Sequence, residues 1–312
     1  MADLTAPQFT DAAAAREALE AVRWPNGPVC PHCGSVDEQV TKMADGAHRK
    51  GLYNCKGCRK QFSVTVGTVY ERSHIPLNKW LLATHLMASS KKGMSAHQLH
   101  RSLGITYKSA WFMAHRIREA MKDTSTEPMG GEGQHIEADE TYIGNKPGVK
   151  KARSTHHKHA VYTLVERNGR ARSFHVDKVT AAKLDEITRN NVSLESTLNT
   201  DEALRYVKMC KGFKGGHQVV NHGKGDYGQG EHTTNTVEGY FSIFKRGMKG
   251  VYQHCDERHL HRYLAEFDFR YSNRAKLGVT DRERADKALK GIEGKRLTYR
   301  QTNERTATPS LG

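Results

Sequence analysis

His135-Ile136-Glu137-Ala138-Asp139-Glu140-Thr141-Tyr142-Ile143 is the stretch that decides the fold of this chain. It alternates with the period of a β-strand, putting Ile136 and Ala138 on one face and Glu137, Asp139 and Thr141 on the other. A carboxylate row on a strand is unusual. Downstream, Ala160 to Glu166 and Ala171 to Val176 read as two further strands around the turn Asn168-Gly169, making three adjacent antiparallel strands. Thr180 caps a helix that runs to Asn190, and Ser196-Thr197-Leu198-Asn199-Thr200-Asp201 is a strand ending on an acid, at the edge where α/β sites usually lie. Asn235-Thr236-Val237-Glu238 then opens a helix through Tyr240, Phe241, Ile243, Phe244 and Met248. These elements make residues 134–275 an α/β domain with a mixed sheet.

Asp123 to Gly133 is a Pro/Gly/Ser/Thr-rich joint, and the segment before it, 71–125, is helical. Pro76 suits a first helical turn, and Trp80, Leu81, Ala83, Thr84, Leu86 and Met87 form an apolar face. Ser95 caps a short helix ending at Gly104, and Thr106 opens another through Ala110, Trp111, Phe112, Ala114, Ile117 and Met121. Helix, glycine turn and helix make a helix-turn-helix pattern whose second helix is expected to expose Tyr107, Lys108, His115, Arg116 and Arg118. Thr106 to Ser109 would face base edges in a major groove. A small packed bundle gives the same pattern.

Further out, Cys30-Pro-His-Cys33 and Cys55-Lys-Gly-Cys58 are two CxxC knuckles, the spacing of a structural zinc site. Tyr53 to Cys55 and Gln61 to Val66 carry strand-like patterning around the second knuckle, so 28–70 is expected to be a zinc ribbon holding one Zn²⁺. His32 and His48 could compete as ligands, but four cysteines already fill a tetrahedral shell; two disulfides or a redox pair are the alternative. Cys210 and Cys255 read as free thiols. Residues 1–27 contain a short helix over about 8–22 stopped by Trp24-Pro25, and 276–312 read as a charged tail, a loose helix followed by disorder. Gly212 to Gly230, dense in Gly, Lys and His, reads as a flexible loop.

The chain of 312 residues has 49 Lys+Arg against 34 Asp+Glu, a net charge of +15. Without a membrane-length apolar run or a signal-peptide pattern, that excess points to nucleic acid and to the cytoplasm. Asp139, Asp201 and Glu238 come from three separate elements, as a two-metal phosphoryl-transfer site requires. Lys245 follows Glu238 by two helical turns on the same face and could hold a phosphate. Spacing alone leaves rivals: Glu137, Glu140, Glu202, Asp226 and Glu231, or a purely capping and solubilising role for the acids.

Ile136 to Gly144, Thr200-Asp201-Glu202 and His232 to Gly247 together resemble bacterial insertion-sequence transposases of the DDE class, and the subgroup with an N-terminal zinc ribbon in particular. Tyr263 to Arg274 is similar to that subgroup's C-terminal helix. The resemblance implies a ribonuclease-H-like fold and carries the family's metal-binding acids onto Asp139, Asp201 and Glu238, with Lys245 and Arg246 on phosphates. It implies two Mg²⁺ or Mn²⁺ ions, terminal-repeat and target DNA as partners, and a nucleoid-associated bacterial protein. Water would cleave the element's end, and the freed 3′-hydroxyl would then join target DNA. Two ends cut together would need a homodimer or higher oligomer. Thr106, Tyr107, Lys108 and Arg116 are the expected DNA contacts of the helix-turn-helix. A DNA-binding regulator with an inactive catalytic half, a structure-selective nuclease and a zinc-stabilised RNA-binding protein are the competing readings.

Overall fold

The computed structural model of the protein describes residues 3–46, 48–151, 153–203, 206, 212–220 and 233–298. A short helix α1 (Pro7–Thr10) leads into α2 (Ala12–Arg23), which is capped by the Asp11 side chain on the Ala13 and Ala14 amides. Strands β1 (Val40–Lys42), β2 (Tyr53–Cys55) and β3 (Gln61–Phe62) form a small antiparallel sheet. Trp24 at the end of α2 stands edge-on to Tyr53 and Phe62 at 5.3 and 5.9 Å, and Tyr53 donates to Glu20 at 2.9 Å. The N-terminal helix is therefore the ribbon's apolar backing, giving three short strands a core they could not make alone.

Helices α3 (Leu77–Ser89), α4 (Ala96–Leu103) and α5 (Tyr107–Met121) follow. Ser95 caps α4, Gly104 ends it at φ 58°, and Thr106 caps α5 by accepting from the Ser109 amide. The glycine supplies the left-handed residue that lets two helices meet in so few residues. Leu99, Leu103, Met113 and Ile117 close the angle between them in a core shared with α2, α3 and the ribbon.

Beyond the joint, β4 (His135–Ile143), β5 (His159–Glu166), β6 (Ala171–Val176), β7 (Thr197–Asp201) and β8 (His217–Val220) form one sheet of order β6-β5-β4-β7-β8. β5 is antiparallel to both β4 and β6, whereas β4, β7 and β8 run parallel. This is the ribonuclease-H-like mixed sheet anticipated from the sequence. Ile136, Ala138, Tyr162 and Leu164 bury one face under α6 (Ala181–Asn191). Val161 and Val165 bury the other under α7 (Asn235–Gly247) and α8 (Glu257–Ser272), which a π-helical turn, Met248–Tyr252, separates.

Two expectations need correction. Part of the stretch read as a flexible loop, His217–Val220, is an edge strand; 221–232 lie outside the described residues, as do Cys210, Asp226 and Glu231. In the expected tail, α9 (Asp281–Lys290) carries a full capping box at Thr280 and Glu283 and buries Ala285, Ala288 and Leu289 in the first core beside α3 and α5. Its stripe is narrow and alanine-rich, so charge dominated its sequence; 299–312 lie outside the described residues.

Candidate active site

Parallel pairing of β4 with β7 sets Ala138 beside Thr200. The next residue on each strand is an acid, so Asp139 and Asp201 emerge side by side at the sheet's carboxyl edge. Glu238 approaches from the first turn of α7, which packs on β4, and accepts from the Thr234 hydroxyl at 3.3 Å. Asp201 accepts from the Ala203 amide at 3.0 Å, and Asp139 from the Glu140 amide at 2.7 Å.

Glu137 explains why α7 sits there. Its fully buried carboxylate accepts from the Thr236 and Val237 amides at 2.7 and 2.9 Å, from the Thr236 hydroxyl at 2.9 Å and from Arg167 at 2.8 Å. It satisfies two of the amides that a helix start leaves open and sets negative charge at the positive end of the helix. Two residues before Asp139 on the same strand face, it holds Glu238's helix against the sheet. Glu140 points to the other face, where it accepts from the Tyr206 hydroxyl. Glu202 is exposed.

Asp139 is half-buried, and its pKa is pushed up to about 7 by burial, then by the carboxylates of Glu140, Asp201 and Glu238, against one opposing amide hydrogen bond. Hard oxygen donors gathered under mutual repulsion fit Mg²⁺ or Mn²⁺. Among the described residues, the acid trio is not one of the groups whose ligand atoms all lie within 4.8 Å.

Cys30, Cys33, Cys55 and Cys58 do form such a tight cluster, with Sγ separations of 3.7 Å for Cys30 to Cys58 and 3.5 Å for Cys33 to Cys55. A tetrahedron with Zn–S bonds of about 2.3 Å has edges of about 3.8 Å, so the four thiols fit one zinc. Hydrogen bonds from Ser35 lower the Cys33 pKa to about 6, toward the thiolate that binds metal.

The basic candidates divide. Lys245 lies on α7 with its ammonium 5.9 Å from the Phe241 ring, and exposed Arg246 is braced on Ser242. Thr106, Tyr107 and Lys108 are exposed on the first turn of α5, with the Tyr107 ring stacked on His97 at 4.3 Å. Arg116, expected to be outward, is buried: it donates to the Glu71 carbonyl and lies 5.1 Å over Trp80. His115 and Arg118 are buried as well, Arg118 in an ion pair with Glu266 of α8 at 2.7 Å. α5 packs against α8 of the other half, and its most exposed residues are those of its first turn. Sequence reasoning missed this because α8 was not yet placed against α5.

Residues 130–272 match the ISXO2-like transposase domain, and 10–61 match the transposase zinc-ribbon domain. The chain is also similar to an uncharacterized protein in transposable element ISH50 of Halobacterium salinarum, with 26% identity over 281 residues, covering 84% of this chain and 91% of that protein. Among the described residues, no helix is long and apolar enough to cross a membrane. The chain thus carries, in this order, a match to the transposase zinc-ribbon domain and a match to the ISXO2-like transposase domain, the ribbon's four cysteines clustered as a zinc site requires.

Proposed function

We propose that this protein binds the ends of its insertion sequence and performs metal-dependent strand cleavage and strand transfer. The observation that carries this reading is the convergence of Asp139, Asp201 and Glu238 from β4, β7 and α7, with the Asp139 pKa raised first by burial and then by its like-charged neighbours. Two Mg²⁺ or Mn²⁺ ions, when bound, would polarise the phosphate and activate the attacking hydroxyl group. Asp139, Asp201 and Glu238 would hold them. Glu137 holds the third acid in reach. Lys245, two turns along α7, and Arg246 neutralise and orient the phosphate strand. The exposed first turn of α5, with Thr106, Tyr107 and Lys108, enters a groove of the terminal repeat, while the zinc ribbon extends that contact. A homodimer or larger assembly brings two ends together.

Purified protein with Mg²⁺ or Mn²⁺ on the DNA flanking its own gene, beside Asp139→Asn, tests this. Cleavage and joining that need the metal and vanish in the variant support the reading. Cleavage without joining indicates a nuclease, binding without either indicates a regulator, and preference for duplex RNA indicates an RNA-binding protein; each overturns it.

A further inference from the structure

We propose that His159, His175 and Glu257 form a second metal site, suited to a borderline divalent cation such as Zn²⁺ and separate from both the acid trio and the ribbon. His159 is the first residue of β5, His175 the penultimate residue of β6, and Glu257 the first residue of α8. Antiparallel pairing sets His175 opposite Val161, so both imidazoles stand on the sheet face that α8 covers. Glu257 Oε1 lies 3.7 Å from His159 Nδ1 and 3.6 Å from His175 Nε2, and the ligand atoms of all three fall within 4.8 Å of one another.

Those separations are long for hydrogen bonds but suit neighbouring ligands of one ion, where bonds of about 2.0–2.1 Å at tetrahedral angles put donors about 3.4 Å apart. Both nitrogens are buried and have no hydrogen-bond partner among the described residues, and His159 is only 4% exposed. Buried imidazole nitrogens turned toward one carboxylate, with neither hydrogen-bonded, are groups a folded chain ordinarily satisfies. A metal ion would satisfy both. Two imidazoles and a carboxylate form a donor set that zinc accepts, with a fourth position left for water. His159 also lines a cavity of about 290 Å³ with Tyr142, Lys158 and Cys255, which gives that position room.

The site is distinct from the proposed catalytic one. His159 pairs with Ile143, four residues along β4 from Asp139, or about 13 Å at strand spacing. An ion here would tie two strand ends to the start of α8, whose Glu266 holds Arg118 of α5. Its role would be to fix that joining helix to the sheet.

Metal content of the full chain, dialysed against Zn²⁺ with Mg²⁺ in excess, decides the matter. Wild type is expected to hold about two zinc ions per chain, and His175→Gln and Glu257→Gln about one, with added Zn²⁺ raising the thermal midpoint of wild type alone. Glu257 is partly exposed, with a side-chain exposure of 41%, so its near-isosteric variant keeps the test independent of folding. One zinc per wild-type chain, or two retained in both variants, overturns the proposal.

Discussion

Glu266 and Asp139 are both withdrawn from water, yet their surroundings are opposite. Glu266 is fully buried, and burial alone would raise its pKa; Arg270 and Arg118 outweigh that and hold it below the usual range, while Tyr252 donates at 2.5 Å. Asp139 has acids where Glu266 has arginines, and rises to about 7. Glu137, two residues before it, belongs with Glu266: two amides and Arg167 answer its charge. A buried carboxylate whose charge is already balanced builds structure. One left unbalanced beside other acids is suited to receiving a cation.

The contrast can be broken most severely at Glu266. Glu266→Ala leaves Arg118 and Arg270 buried without their counter-ion and should cost about 3–5 kcal/mol in urea unfolding; a loss under about 1 kcal/mol would mean the pair is not integral to the joint between the halves. Glu137→Ala should cost about 2–3 kcal/mol by the same measurement, since two helix-start amides and Arg167 lose their acceptor. An unchanged midpoint would remove Glu137 as the anchor of α7.

Asp139→Asn should move stability the other way in metal-free protein. Between the ordinary carboxylate range and pH 7 the folded state keeps a proton that the unfolded chain has released, so wild-type stability falls as pH rises through that window. Asparagine does not titrate. The variant should therefore gain about 1–2 kcal/mol over wild type by pH 8 and nothing at pH 3, as thermal melts at the two pH values would show. A constant difference would argue against a raised Asp139 pKa. Smallest of all, Lys108→Ala should lower the salt slope of DNA binding by about one, whereas Arg116→Ala should leave the slope alone and lose stability. Equal slopes for Lys108→Ala and wild type would exclude the first turn of α5 from the interface.

Much of the architecture was legible because local chemistry and global fold agree. The doubled CxxC, the caps at Ser95 and Thr106, the Gly104 break and the alternation of β4 are signals carried within a few residues. What was hidden depends on partners distant in sequence. Arg116 and Arg118 read as surface cations until Trp80 and Glu266 are placed beside them. Glu137 looked like a rival to Asp139, and only the position of α7 shows it as a cap. Nothing local in the sequence links His159, His175 and Glu257, because their meeting requires β5, β6 and α8 to converge.

Thermal unfolding of wild type and Asp139→Asn at pH 8, with chelator and then with Mn²⁺, tests the distinction between balanced and unbalanced acids most directly. Mn²⁺ is expected to stabilise the wild type strongly, and to leave the variant, the more stable protein in chelator, nearly unchanged. Equal shifts in both proteins, or none in either, would contradict a cation site at Asp139.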